Sequence, residues 1–155
     1  MEAARPAGPE DRAACRDLLE QALQDVRTAR GGAALVGPVT AVELLDAWFA
    51  ADSPVAVFIG TFHEATVGLL AVTTFVRPGS APGDPSGRIE CCYVEAECRG
   101  VGVGSALMTA AVEWCEARLC VDIDARALPG DRNTKQRLEA AGFTARLLTL
   151  NRRLR

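Results

Sequence analysis

The 155-residue chain is predicted to fold as one mixed α/β domain with a single central sheet. Three observations carry that expectation. Apolar stripes at helical spacing alternate with short β-branched runs, and two of those runs are joined by a turn short enough for a hairpin. A later run passes through a glycine-rich loop straight into another helical stripe. A chain of this length builds one ordinary core rather than two. With 49% apolar and 24% charged residues its composition is globular, and no window approaches the ~18 uninterrupted apolar residues of a membrane span.

The elements follow in order. A very short strand around Glu2 to Arg5 precedes the first helix. From Glu10 to Arg27, Ala14, Leu18, Ala22 and Val26 recur every four residues, with Cys15, Leu19 and Leu23 beside them, which is a helical stripe. Gly31-Gly32 breaks it. Thr40-Ala41-Val42-Glu43 has the form of a capping box and opens a second, shorter helix carrying Leu44, Leu45, Trp48 and Phe49. Ser53-Pro54 stops that helix, and Val55 to Thr61 is a compact β-rich run. His63-Glu64-Ala65 makes the turn into a second run, Thr66 to Val76. Arg77 to Gly87, dense in proline and glycine, reads as an exposed loop.

Arg88 to Val94 is the next strand, and it feeds the glycine loop. A third helix covers Ser105 to Arg118, with Leu107, Ala110, Ala111, Trp114 and Cys115 on one face. Cys120 to Ala125 is strand-like, Pro129-Gly130 breaks it, and Thr134 to Ala141 forms a last short helix. Phe143 to Asn151 is expected to close the sheet as a strand.

The loop, Glu97-Cys-Arg-Gly-Val-Gly-Val-Gly-Ser105, holds the most chemistry. Gly100, Gly102 and Gly104 leave the backbone bare where a ligand approaches and permit φ values other residues avoid. Several amides can then converge on an anion at the positive end of a helix dipole, the arrangement that binds pyrophosphate.

Other chemistries are disfavoured. A net charge of −3 gives no general reason to bind nucleic acid. The six cysteines show no C-x-x-C spacing, and His63 is the only histidine, so no metal site is expected. Cys91 and Cys92 are adjacent in a strand and point to opposite faces, which speaks against a disulfide between them. The N-terminal residues Met1-Glu2-Ala3-Ala4-Arg5-Pro6 lack the form of a signal peptide, so a cytoplasmic location, without membrane association, is the expectation.

Arg99, Gly102 and Gly104 match the R/Q-x-x-G-x-G/A signature of the GNAT superfamily of acetyl-CoA-dependent N-acetyltransferases, which the chain resembles. The lead from Cys92 to Gly100, the element order over nearly the whole chain, and Ala140-Ala141-Gly142-Phe143 after the last helix are similar to that family too. The resemblance implies a mostly antiparallel sheet flanked by helices, with a splayed strand pair holding the cofactor. It implies acetyl-CoA as co-substrate. Backbone groups of Tyr93 and Val94 would pair with pantetheine, while Arg99, Gly100, Val101, Gly102, Val103, Gly104 and Ser105 would wrap the pyrophosphate. Asn133 matches an asparagine near the start of the family's last helix that contacts the cofactor, and Arg132 and Lys135 could reach the 3′-phosphate. Homodimers are common among similar proteins.

Acetyl transfer to an amine needs a route for the excess proton and a stabilised oxyanion. Glu90, in an otherwise apolar strand, is the base candidate, since partial burial there would raise its pKa toward neutrality. The resemblance implies that a backbone N–H near Val94 would meet the oxyanion. Where many relatives carry a tyrosine as general acid, this chain has Leu138, and its only tyrosine is Tyr93. Asp122 and Asp124 share a strand face and are alternative carboxylates for a cationic acceptor. The expectation is therefore an N-acetyltransferase acting by direct attack on a primary amine of a small molecule or peptide. The alternative is a GNAT-like acyl-CoA-binding or regulatory module with weak or no catalysis.

Overall fold

The computed structural model describes residues 1–155. Five strands form one sheet in sequence order: β1 (Glu2–Pro6), β2 (Ala56–Phe62), β3 (Ala65–Phe75), β4 (Ser86–Val94) and β5 (Asp122–Asp124). The first four are antiparallel to their neighbours, and β5 runs parallel to β4. The predicted turn between β2 and β3 is a tight hairpin in which His63 and Glu64 both take left-handed backbone, with φ of +47° and +70°. That geometry matches the twist of the strands it joins.

One face of the sheet is covered by α1 (Arg12–Thr28) and α3 (Ala41–Trp48). Cys15, Leu18, Leu19, Leu45 and Trp48 pack there against Val57, Ile59, Leu69 and Ala71. The predicted capping box starts α3: the Glu43 amide donates to Thr40 Oγ1 at 3.2 Å, and the Thr40 amide donates back to Glu43 Oε2 at 2.8 Å. The other face receives α4 (Val103–Glu116), whose Val103, Leu107, Ala111 and Cys115 meet Phe58, Leu70, Val72 and Ile89. This helix sits close because Gly60 and Gly68 lie beneath it. A Cβ on Gly60 would come within 2.5 Å of Val103 Cγ1, and one on Gly68 within 3.0 Å. The last helix, α5, spans Arg132–Ala140. No helix is long and apolar enough to cross a membrane.

Two expectations need correction. The Gly31-Gly32 break is followed by a short helix, α2 (Gly32–Val36), because Gly31 at φ +80° turns the chain and frees Ala33 to Val36 to wind once more. The predicted closing strand over 143–151 is absent. Phe143 is half-buried against the second core, but Leu147, Leu148 and Leu150 are 82–91% exposed. A strand is held by a neighbouring edge and a face to bury, and the three-residue β5 offers little of either.

Candidate functional site

The site grows from the end of β4. Ala71 opposes Cys91 while the next residue of β3, Val72, opposes Ile89, so Glu90 is an extra residue in the ladder, a β-bulge. Glu90 is exposed. The partial burial expected of it is therefore missing: the bulge lifts the side chain out of the apolar strand surface. β5 pairs only with Ser86, Gly87 and Arg88, so from Ile89 onward the β5-facing edge of β4 has no strand beside it. This is the predicted splay.

The ladder fixes which groups face the gap. The Glu95 amide donates to Val67 O at 2.9 Å, and alternation along the register then commits Tyr93 and Cys91 to β3. Cys92 aims its N–H and C=O into the splay and Val94 its N–H, while the Val94 carbonyl is taken by Arg99. Of the two residues expected to offer backbone there, Val94 points its N–H that way and Tyr93 does not; Cys92, one position away in the period, faces the gap instead. The signal was present in the sequence as strand alternation, but its phase needed the partner strand. The Cys91 and Cys92 side chains do lie on opposite faces. Burial pushes the Cys91 thiol up to about 12 and the Cys92 thiol above its ordinary value, which keeps both protonated near neutrality.

Beyond β4 the chain makes a short 3-10 turn, Ala96–Cys98, and enters the loop. Gly100 and Gly102 both adopt left-handed backbone, φ +87° and +96°, and Gly102 is the N-cap of α4. The first helical bond is donated by Ala106 to Gly102 O, and the amides from Gly100 through Ser105 donate to no protein acceptor. Val103 anchors this segment in the core, whereas Val101 stands 36% exposed. The result is a set of free N–H groups at the positive end of a 14-residue helix.

Arg99 braces the loop. Its Nε donates to Val94 O at 2.9 Å, its Nη2 reaches Asp25 on α1 at 3.4 Å, and its guanidinium lies 5.6 Å from the Tyr93 ring centre. Its side chain thus ties strand to helix, and only its backbone lies along the loop. Tyr93 in turn donates its hydroxyl to Gln21 Oε1 at 3.2 Å.

Between α4 and α5 lies a cleft of about 570 Å³, lined by Gly104, Ser105, Met108, Thr134, Arg137 and Leu138, with Cys92 on its floor. Asp131 caps α5, accepting from the Thr134 amide at 2.9 Å and from its hydroxyl at 2.6 Å. Asn133 is exposed and does not line the cleft. Lys135 pairs with Glu139 on the outer surface at 3.7 Å. The cation at the loop is Arg137 instead: a Cβ on Gly104 would stand 3.6 Å from its Nη1. Thr134, Arg137, Leu138 and Ala141 are spaced by three and four, so they share a helical face, and that periodicity was the available signal for Arg137. Asp122 and Asp124 both engage Arg77, at 3.2 and 3.0 Å, and are not free carboxylates. No group of three or more His, Cys, Asp or Glu is arranged to hold a metal ion.

Solved structures with the same architecture include an aminoglycoside N-acetyltransferase, AAC(6′)-Iy, in complex with CoA. It is 18% identical, with 100% of this chain and 95% of that one covered at a TM-score of 0.76. A ribosomal-protein-alanine N-acetyltransferase from Brucella melitensis matches at 17% identity, 99% of both chains and a TM-score of 0.72. A protein described as a transcriptional regulator from Bacillus halodurans matches at 23% identity, 99% and 100% coverage and the same TM-score, 0.72. No curated protein matches the chain. The profile of the Acetyltransferase (GNAT) family covers residues 16–143, from the second turn of α1 through Phe143, and the chain belongs to that family.

Proposed function

We propose that this protein transfers the acetyl group of acetyl-CoA directly to a primary amine of a small molecule or peptide. The observation that carries the reading is the run of unpaired amides from Gly100 to Ser105, opening onto the same gap as the free N–H and C=O of Cys92 and the free N–H of Val94. Both features fit a ligand with a diphosphate and an amide-bearing arm. The loop amides hold the pyrophosphate, Arg137 adds a cation beside Gly104, and the open edge of β4 supplies strand-like pairing to the pantetheine. When bound, acetyl-CoA supplies the activated thioester.

The chain's own groups then act on the acceptor. The Val94 amide points into the splay, where an oxyanion would develop, and Glu90 projects from the bulge as a water-linked acceptor for the amine's proton. Cys91 and Cys92, half-buried and held protonated, support direct attack over an acyl-cysteine route. The acceptors in the names of AAC(6′)-Iy and the ribosomal-protein-alanine enzyme are an aminoglycoside and a protein alanine, so both acceptor classes occur on this fold.

A second reading is favoured by one observation. Leu138 faces the cleft where a proton donor is common, and the lone tyrosine is held by Gln21, which suits a CoA-binding module with little catalysis. Incubation with acetyl-CoA and an amine panel, following thiol release, separates the two. Turnover is expected with at least one amine; tight CoA binding with no turnover would favour the module. If Glu90 moves the proton, Glu90→Gln should lower kcat by roughly a hundredfold with little change in CoA affinity. Full activity in that variant removes Glu90 from the mechanism.

A further inference from the structure

Phe75, the last residue of β3, is half-buried but packs in neither hydrophobic core. Two arginines lie against its ring instead, Arg88 at 3.9 Å from the ring centre and Arg77 at 5.4 Å. The two cations are used differently. Arg77 Nη2 bonds Asp122 at 3.2 Å and Asp124 at 3.0 Å. The side chain of Arg88 makes no hydrogen bond or ion pair, although Asp124 is its register partner on β5. Arg77 already holds that carboxylate. The stack on Phe75 fixes the plane of the Arg88 guanidinium and leaves its N–H edge open.

Strand register ties this free fork to the candidate site. Arg88 is the last residue of β4 that β5 pairs with, so it stands where the two strands part. Its partner on β3 is Thr73, and the next pair along the ladder, Val72 and Ile89, packs on the α4 side. By alternation Thr73 and Arg88 face the side of α1 and α3. The core on that side reaches Ala71 and Cys91 but not Phe75. Glu90 is two residues beyond Arg88, exposed on its bulge, and forms no ion pair with it. At ~3.3 Å of rise per residue their Cα atoms are at most about 7 Å apart, so one small molecule spans both.

An unpaired cation and an unpaired anion at the mouth of the splay select an acceptor by charge. Glu90 attracts an ammonium and takes its proton through water, as above. A guanidinium with an open N–H edge binds a planar carboxylate through two parallel hydrogen bonds. A polyamine meets attraction at Glu90 and repulsion at Arg88, whereas a zwitterion meets attraction at both. We propose, resting on the acetyl-transfer reading, that the acceptor is a small primary amine that also bears a carboxylate, of the amino-acid class. Arg88 holds the carboxylate and Glu90 faces the amine.

The test offers the full chain and acetyl-CoA a panel of amino acids beside their amides, with spermidine as an amine that carries no anion. Thiol release should favour an acid over its amide by roughly a hundredfold in kcat/KM, the weight of a bidentate charge-assisted contact. Arg88→Gln should abolish that preference by raising KM for the acids with kcat little moved, and Arg88→Lys should restore part of it. Equal use of acid and amide, or spermidine as the best acceptor, would overturn the proposal and leave acetyl transfer standing. So would an Arg88→Gln variant that keeps the preference, or one that loses acids and amides alike. Thermal melting of the CoA-loaded protein reads the subsite without turnover: an amino acid should raise Tm where its amide does not, and Arg88→Gln should lose the rise. That pattern without thiol release would keep the subsite and overturn acetyl transfer; neither a rise nor release would overturn both. Because the Arg88 side chain forms no hydrogen bond or ion pair, both variants should melt close to the parent protein when no ligand is present.

Discussion

The two sides of β4 are built from different material. On the side of α4 and α5, the unpaired hydrogen-bonding groups at the candidate donor cleft are mainly main-chain ones: the amides of one loop, shaped by glycines, and the open edge of one strand. On the side of α1, the strand meets side chains from distant segments: Gln21 on the Tyr93 hydroxyl, Asp25 on Arg99, and Glu90 standing free on its bulge. A main-chain site is encoded locally, because conformation and ligand groups come from the same few residues. A side-chain site is encoded only once the fold has brought those segments together.

The sharpest way to break this contrast is to remove the loop's conformational freedom. At Gly102 an L-residue is strained at φ +96°, by about 1–2 kcal/mol, and its Cβ would meet Glu2 Cγ at 3.1 Å. Gly102→Val should therefore turn the amides away and lower CoA affinity by roughly a hundredfold, equivalent to losing one or two charge-assisted hydrogen bonds. Calorimetric titration with CoA measures this, with circular dichroism as the check that the fold persists. Unchanged affinity in a folded variant would show that the loop is not the cradle.

The same contrast explains what the sequence made legible. The loop, its following helix and the strand before it could be read from Arg99 to Ser105 because glycine spacing and helix start are local properties. The capping box at Thr40 and the hairpin at His63-Glu64 were legible for the same reason. Three features were not. Glu90's exposure depends on a bulge, which exists only relative to β3. The commitment of Tyr93 to β3 depends on the phase of a ladder whose register is set across strands. Arg137, and not Asn133 or Lys135, faces the cleft because of how α5 is rotated against α4, which its caps and Leu138 decide. The absent closing strand belongs with these, since a β-rich run is a strand only when an edge receives it.

Arg137 sharpens the contrast from the other direction, as the cation whose side chain stands beside Gly104. It is exposed, and its only hydrogen bond is to Thr134 Oγ1 at 3.3 Å, so its loss should cost the fold little. Arg137→Ala should weaken CoA about tenfold, less than the loop variant, and should reduce the salt dependence of binding. Arg137→Lys should recover part of the loss. Affinity equal to that of the parent protein would mean that the amides alone carry the anion.

The smallest effect should fall on the side-chain face alone. Asp11, buried at the start of α1, accepts two bonds from Arg5 at 2.8 and 2.9 Å and one from the Gly8 amide at 2.8 Å, fastening α1 to β1. The Arg5 hydrogen bonds are the main reason its carboxyl titrates below the ordinary value of 3.8; burial opposes them, and the Gly8 amide and the Arg5 charge add to them. Because the folded-state pKa lies below the unfolded one, the stabilisation is complete at pH values above 3.8. It is lost as pH falls through the lower folded value. Asp11→Asn should cost about 1–2 kcal/mol near neutrality, a modest figure because Arg5 is half exposed. In chemical denaturation that gap from the parent protein should close in acid, while CoA affinity at neutral pH stays the same. A gap that persisted unchanged in acid would mean that the ion pair is not what fastens α1. A fall in CoA affinity would mean that the two sides of β4 are coupled through the sheet, and not separately built as their composition indicates.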